Sequence, residues 1–546
     1  MFYPNELASF KKTNFKHPKG LLIFNEALPQ APVPQTTPEN DKHVEKKIIQ
    51  RIFKFCLNSI HGLNHIWQPG VRPAVRIFWC LLVTTAIIGC LILYIVVSQR
   101  HREQILVTVV ETSHLPIHSI HFPAVAVCPF NHINWMRYQA AEERFLPRKN
   151  ANSDARKVFY NLTVLLESMT FTGLGPIKDF LNAKRIPRSV QNLVISDVAQ
   201  FLAFRCDEIF RWCIYDKTEQ DCCKIFVSEN TERGICLVFN SDISKESRIK
   251  KLTDSFYPWR SRSGGEGSGL SFSLKYNHSL IRSGTNVPFA FSVLIKEPGE
   301  WSNSLFHILH KNTHNNLMVT PIITETSRYT RHISPAKRQC IFPNEKSTKY
   351  DRIEGLQFNK LNCQVQCEKR YLMNTCNCTM SMFFPRQLHY SERECRVSDL
   401  RCIYENKDIF NYLKGPLQDE YINDTRRGMT CDCVNSCESL LFLVQLNVLP
   451  HPNANESFPE ISAEVYFAKN TLTKYVTRVQ YNFLGLLSNF GGIMGLCLGA
   501  SVLSILEMFY GIIRAIFIYC LYKLTYNRKV RKINVDRDTQ YLGNNK

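Results

Sequence analysis

The sequence predicts a membrane protein with two spanning helices joined by a large disulfide-rich α+β domain. Three observations lead there. Residues 77–98 (IFWCLLVTTAIIGCLILYIVVS) run for 22 positions without a charge, and residues 483–506 form a second uncharged run of 24. Either crosses a hydrocarbon core of about 30 Å at about 1.5 Å per residue. Sixteen of the 21 cysteines fall between positions 128 and 437, an even, clustered set of the kind that oxidises after export. All five N-x-[ST] acceptors, at Asn161, Asn277, Asn377, Asn423 and Asn455, lie between the two runs. The long middle region favours that placement by chance as well, and at Asn377, between two cysteines, folding competes with glycosylation.

Taken in order, residues 1–76 are an N-terminal segment. Positions 1–50 are polar and proline-dotted, and read as disordered. MFYPNELASFKK has no apolar signal core, so export relies on a spanning helix. VEKKIIQRIFKFCLNSI (44–60) is basic and amphipathic, suited to the inner membrane surface. The pair His61-Gly62 follows, a solvated turn if taken alone. The first span is 77–98, preceded by Arg72 and Arg76. The tail, 523–546, carries Lys523, Arg528, Lys529, Arg531 and Lys532. Two spans put both ends on one side, and these bases make that side cytoplasmic; Arg100 and Arg102 pull the other way.

Residues 99–480 are then an extracellular domain. FAFSVLI (289–295) and SLLFLVQL (439–446) read as strands, and 156–169 and 404–414 as helices. SRSGGEGSGLSFSL (261–274) reads as a loop entering a strand. The spacings C-x3-C at 363 and 367, C-x-C at 376 and 378 and C-x-C-x3-C at 431–437 admit zinc or disulfides. The absence of CxxC pairs and the exported setting favour disulfides.

The second span occupies 481–522. Gly485, Ser488, Gly492, Gly495 and Gly499 are spaced 3, 4, 3 and 4 apart, which puts them on one helix face. Two readings stay open. Small residues at this spacing let membrane helices pack closely. Alternatively, three or more copies of the face surround a water-filled path, and carbonyls at Gly499-Ala500-Ser501 replace a cation's hydration shell. Glu507 favours an ion route, unless it only reaches the inner headgroups beside Arg514.

The net charge of +20 is dispersed and no nucleic-acid-binding motif accompanies it, so nucleic acid is not expected as a partner. The sequence lacks G-x-x-x-x-G-K-[ST], H-E-x-x-H and G-x-S-x-G, so no enzyme is expected. His114, His118 and His121 cluster just outside the first span; ordinary surface histidines are favoured over a metal site. In LIKEPGEW (294–301), Lys296, Glu297 and Glu300 do not read as a proton-sensing carboxylate pair.

GLLSNFGGIMGLCLGASVLSILEMFYG resembles the second transmembrane segment of the degenerin and epithelial sodium channel (DEG/ENaC) family, with its Gly-x-Ser filter. His61-Gly62 resembles that family's gating motif, Phe122-Pro123-Ala124-Val125 leading to Cys128 its first strand, and the cysteines from 340 to 437 its stapled thumb. The likeness covers about residues 55–520. Cys222 and Cys223 depart from the vertebrate acid-sensing pattern and look more like the insect pickpocket branch, where extra cysteines occur here.

The resemblance implies an acid-sensing-channel-like fold of palm sheet, thumb helices and finger, assembled as a plasma-membrane homo- or hetero-trimer with related subunits. It implies a voltage-independent, amiloride-sensitive channel passing Na+, with no cofactor. An extracellular ligand or a mechanical stimulus would open it. Gly499, Ala500 and Ser501 would select; His61, Gly62 and Ser488 would gate; Gly495 would contact the blocker; Glu507 would be a pore acid. The implied disulfides are Cys128–Cys236, Cys206–Cys213, Cys340–Cys437, Cys363–Cys433, Cys367–Cys431, Cys376–Cys402 and Cys378–Cys395, with Cys222 and Cys223 leaving the pairing around Cys206 and Cys213 open. A non-conducting regulatory or assembly subunit of a mixed channel is the alternative.

Overall fold

The computed structural model describes residues 62, 65–66, 70–103, 105–147, 152–182, 185–275, 277–301, 305–345, 351–386, 392–414, 426–450, 460–480 and 483–499, then 501 and most of 503–528. His61, Ala500, Asn423, Asn455 and the amphipathic 44–60 stretch lie outside them. The chain divides into two compact units, Met1–Gln99 with Phe483–Lys546, and Arg100–Asn482.

In the first unit, helix α1 (Pro73–Glu103) is long and apolar enough to cross a membrane. Its Leu81, Leu91, Ile92 and Ile95 are exposed, the pattern of a helix whose solvent is lipid. The Thr84 and Thr85 hydroxyls donate to the carbonyls of Cys80 and Leu81 at 2.7 and 2.6 Å, so the helix hides its own polar groups.

The second unit is built on two sheets. The strands are β1 (Leu106–Pro116), β2 (Ala124–Pro129), β3 (Phe210–Tyr215), β4 (Thr218–Gln220), β5 (Phe226–Thr231), β6 (Gly234–Phe239), β7 (Leu270–Lys275), β8 (Phe291–Lys296), β9 (Phe306–Leu309), β10 (Thr313–Thr326), β11 (Cys340–Ile341), β12 (Leu413–Lys414), β13 (Met429–Thr430), β14 (Asn435–Ser436), β15 (Glu438–Pro450), β16 (Glu460–Phe467) and β17 (Thr471–Val479). The larger sheet runs β1-β17-β10-β16-β7-β3-β4, with β15 along the other side of β10. β10 pairs in parallel first with β16 and then with β17. The smaller sheet runs β5-β6-β2-β8-β9; β11 with β14 and β12 with β13 are short pairs. β2 is buried along its whole length, which accounts for the unbroken apolar run AVAVC. Phe122 joins the layers, 6.0 Å from Phe239 of β6 and 5.3 Å from Phe467 of β16.

Helices pack around this frame. α2 (Ser153–Leu166) starts where Asn152 accepts from Ala155 N and buries Ala155, Val158, Phe159, Leu162 and Leu166 at helical spacing. α3 (Ile195–Leu202) and α4 (Lys245–Thr253) follow. α5 (Lys360–Cys376) is capped by Asn359 and closed by Asn377 at φ +52. The stretch expected as one helix over 404–414 is instead the two short helices Leu400–Glu405 and Lys407–Phe410. In the first unit, α6 (Phe483–Leu498) follows the last strand.

Eight disulfides staple the second unit. α5 presents Cys363 and Cys367 one turn apart, bonded to Cys433 and Cys431. Cys340–Cys437, Cys376–Cys402 and Cys378–Cys395 continue the ladder, and Cys128–Cys236 ties β2 to β6. The Cys206–Cys213 rung does not form. The pairs are Cys206–Cys223 and Cys213–Cys222. The β3–β4 hairpin sets Cys213 opposite Gln220, so the returning chain brings Cys222 to Cys213 and leaves Cys223 for Cys206.

Candidate pore segment

The site starts from the local chemistry of α6. Gly485, Ser488, Gly492 and Gly495 lie within it, and the helix ends at Leu498. Gly499 donates its N–H to Gly495 O at 3.0 Å and then takes φ +61, a left-handed turn that glycine enters without a Cβ clash. On the other side of the break, Ser501 Oγ accepts from Ser504 N at 3.2 Å, while Ser504 Oγ accepts from Ser501 N at 3.3 Å. This reciprocal cap begins the helical residues that resume at Leu503. The apolar stretch is therefore not one continuous helix. It breaks at the residues expected to select ions, because a left-handed glycine closes one helix and a serine pair opens the next.

The two faces of α6 differ. Phe490 packs on Tyr94 of α1, with ring centroids 5.1 Å apart, and Met494 Sδ lies 3.8 Å from Cys90 Sγ. Ser488, Gly492 and Gly495 are exposed, and a Cβ built on Gly492 meets nothing within 4 Å. The small-residue face thus does not serve packing on the chain's own first helix. Glu507 is helical and exposed.

Gly62, at φ +88, holds a turn against α1, where an added Cβ would sit 3.1 Å from Val83 and 3.3 Å from Trp79. His65 N donates to Gly62 O at 3.2 Å, and the His65 ring stacks on Trp79 with centroids 4.7 Å apart. His65 was not singled out by sequence; the aromatic face of Trp79, the third residue of the apolar run, is the signal that could have found it.

In the second unit, His114, His118 and His121 do not converge. His114 Nδ1 meets Ser113 Oγ at 2.9 Å, and His121 Nδ1 meets Pro258 O at 2.7 Å; burial lowers the His121 pKa. Glu297 and Glu300, by contrast, are brought together. Glu297 N donates to Glu300 Oε2 at 3.3 Å. Burial pushes both carboxyls up to about 7, with the charge of Glu300 adding to the rise at Glu297. Pro298-Gly299 folds the segment back, a turn signal that was present in the sequence. Lys296 is fully buried and paired with Glu229 at 3.0 Å. Among the acceptor asparagines, Asn277 and Asn377 are exposed and Asn161 is half-buried in α2.

A helix long and apolar enough to cross a membrane, a shorter apolar helix that ends at Leu498 and a disulfide-stapled unit fit a subunit of a membrane channel. A family-wide profile described as amiloride-sensitive sodium channel matches residues 55–510. Pickpocket protein 19 of Drosophila melanogaster is 40% identical over 467 residues, covering 84% of this chain and 89% of that protein. Sodium channel protein Nach of Drosophila ananassae is 24% identical over 84% of this chain and 85% of its own length. Acid-sensing ion channel 1C of Danio rerio is 22% identical over 86% and 85%. The chain belongs to the amiloride-sensitive sodium channel family, with pickpocket proteins among its relatives.

Proposed function

We propose that this chain is a pore-forming subunit of an amiloride-sensitive, voltage-independent channel. It passes Na+ down its gradient in response to an extracellular or mechanical stimulus. Three copies, alike or mixed with related subunits, surround the second spans in the plasma membrane. Residues 99–480 lie outside and both termini in the cytoplasm. Two helices of one chain cannot enclose a pore, so assembly is a physical requirement.

The observation that carries this reading is the uncovered stripe of Ser488, Gly492 and Gly495 leading to a helix break at Gly499 and Ser501. Broken backbone at membrane depth is tolerated where it lines a cavity or is packed in protein. In the assembled channel Gly499, Ala500 and Ser501 ring the narrowest point and exchange with the ion's water. Gly495, one turn above, contacts amiloride. Ser488 lets the helices close; His61 and Gly62 set the open probability from the inner end; Glu507 draws cations to the inner mouth.

The test is whole-cell current in a null cell expressing Ser488→Trp, with surface protein measured in parallel. A constitutive Na+ current blocked by amiloride is expected. Surface protein without current would reject a self-sufficient homomer opened by this change and put the regulatory-subunit reading first.

A further inference from the structure

α1 and α6 meet along a seam whose contacts step along both helices together. Tyr94 meets Phe490 with ring centroids 5.1 Å apart. One turn away on each helix, the Cys90 thiol donates to the Met494 sulfur at 3.8 Å. Cys497, three residues beyond Met494 and on the same face of α6, is hydrogen-bonded to Cys90 as well. Three sulfur atoms from two helices therefore gather at Cys90. Neither thiol belongs to a disulfide.

The distances suit a shared ion. Two sulfur ligands of a trigonal ion, each at about 2.3 Å, stand about 4 Å apart. The 3.8 Å between Cys90 and Met494 is close to that. The donor set decides which ion. Na+, Mg2+ and Ca2+ seek oxygen, and this set is sulfur. Among the described residues no three His, Cys, Asp or Glu side chains form a group able to hold a metal, so the usual zinc set is missing and the third donor is a thioether. Thiolate together with thioether selects Cu(I) and the soft ions like it. Cys90 is buried, but Met494 and Cys497 are half-buried, so an ion can reach the sulfurs from the α6 side.

We propose that Cys90, Met494 and Cys497 bind one soft ion of the Cu(I) class. The bound ion clips α1 to α6 just before the backbone turn at Gly499. Binding replaces a thiol S–H bond by a metal–sulfur bond, and the proton leaves to water. Metal and sulfur keep their oxidation states, so no oxidant is required. The site lies within the first unit and does not depend on whether the chain conducts.

The test is an anaerobic Cu(I) titration of the purified full-length chain, with Cys56, Cys80 and Cys520 changed to serine and bicinchoninate as the competing chelator. A single copper per chain is expected, with a sulfur-only shell at about 2.3 Å in X-ray absorption. Cys90→Ser and Cys497→Ser should each weaken binding by about tenfold or more, at least the cost of losing an outer-shell partner. Met494→Leu keeps both thiols and nearly the same volume, so its fold is the least disturbed, and it should weaken binding too. Copper lost entirely to the chelator, a nitrogen or oxygen shell, or unchanged affinity in Met494→Leu or Cys497→Ser would each overturn the proposal. So would a Cys90–Cys497 disulfide, found by thiol trapping in the chain as isolated.

Discussion

Gly62 combines a left-handed backbone with a side-chain-free approach to α1. An alanine there takes on about 1 kcal/mol of backbone strain and a contact with Val83 that must give. In a channel held open by Ser488→Trp, Gly62→Ala should lower the open probability by about fivefold or more, read from single-channel records. No change would remove Gly62 from the gating machinery. Glu297 makes a residue-scale prediction about pH. Its folded carboxyl, at about 7, lies above its ordinary 4.5, so the folded state holds the proton more tightly than the unfolded one. The stability this contributes is complete below about pH 4.5 and is lost as pH rises to about 7. The Glu297→Gln protein should therefore gain thermal midpoint relative to the parent at pH 7.5 and lose that advantage at pH 4.5. A difference independent of pH between these values would contradict the burial of this carboxyl.

At the scale of elements, α5 and its rungs form a stapled rod. Cys367–Cys431 closes a separation of 64 residues, and a bridge of that kind contributes about 2–4 kcal/mol, with loop length counting in its favour. Replacing both cysteines by serine should lower the thermal midpoint of the purified chain and reduce the amount that reaches the surface. Retention of both at parental levels would mean that α5 is held by packing alone. These rungs follow from a family-like spacing, and a helix with cysteines four apart presents them on one face. The nested pairs Cys206–Cys223 and Cys213–Cys222 were not legible, because adjacent cysteines carry no signal of which one a hairpin delivers. The burial of Glu297 and Glu300 was not legible for a related reason. Their separation along the chain was plain, but their burial depends on Asn359 and Asn362 at the start of α5, whose side chains hold this turn.

For the whole molecule, the two apolar runs, the stapled middle region and the small-residue stripe were readable from the chain because each rests on local composition or period. What the sequence left open was the stripe's partner. The structure turns Phe490 and Met494 toward α1 and leaves Ser488, Gly492 and Gly495 uncovered by it. Gly492→Cys places a thiol in open space; mild oxidation in membranes should yield a covalent dimer on a non-reducing gel. Only monomer, under conditions that oxidise exposed thiols, would place the stripe against lipid. The role proposed for Gly499, Ala500 and Ser501 is the selective part of a sodium pore. Its most direct test is the reversal potential of the Ser488→Trp current in Na+ against K+, with and without Ser501→Cys. A Na+-selective parent is expected, with a several-fold fall in the Na+-to-K+ permeability ratio when Ser501 is changed. An amiloride-sensitive current with the same reversal potential in both would contradict it, and would place the filter elsewhere.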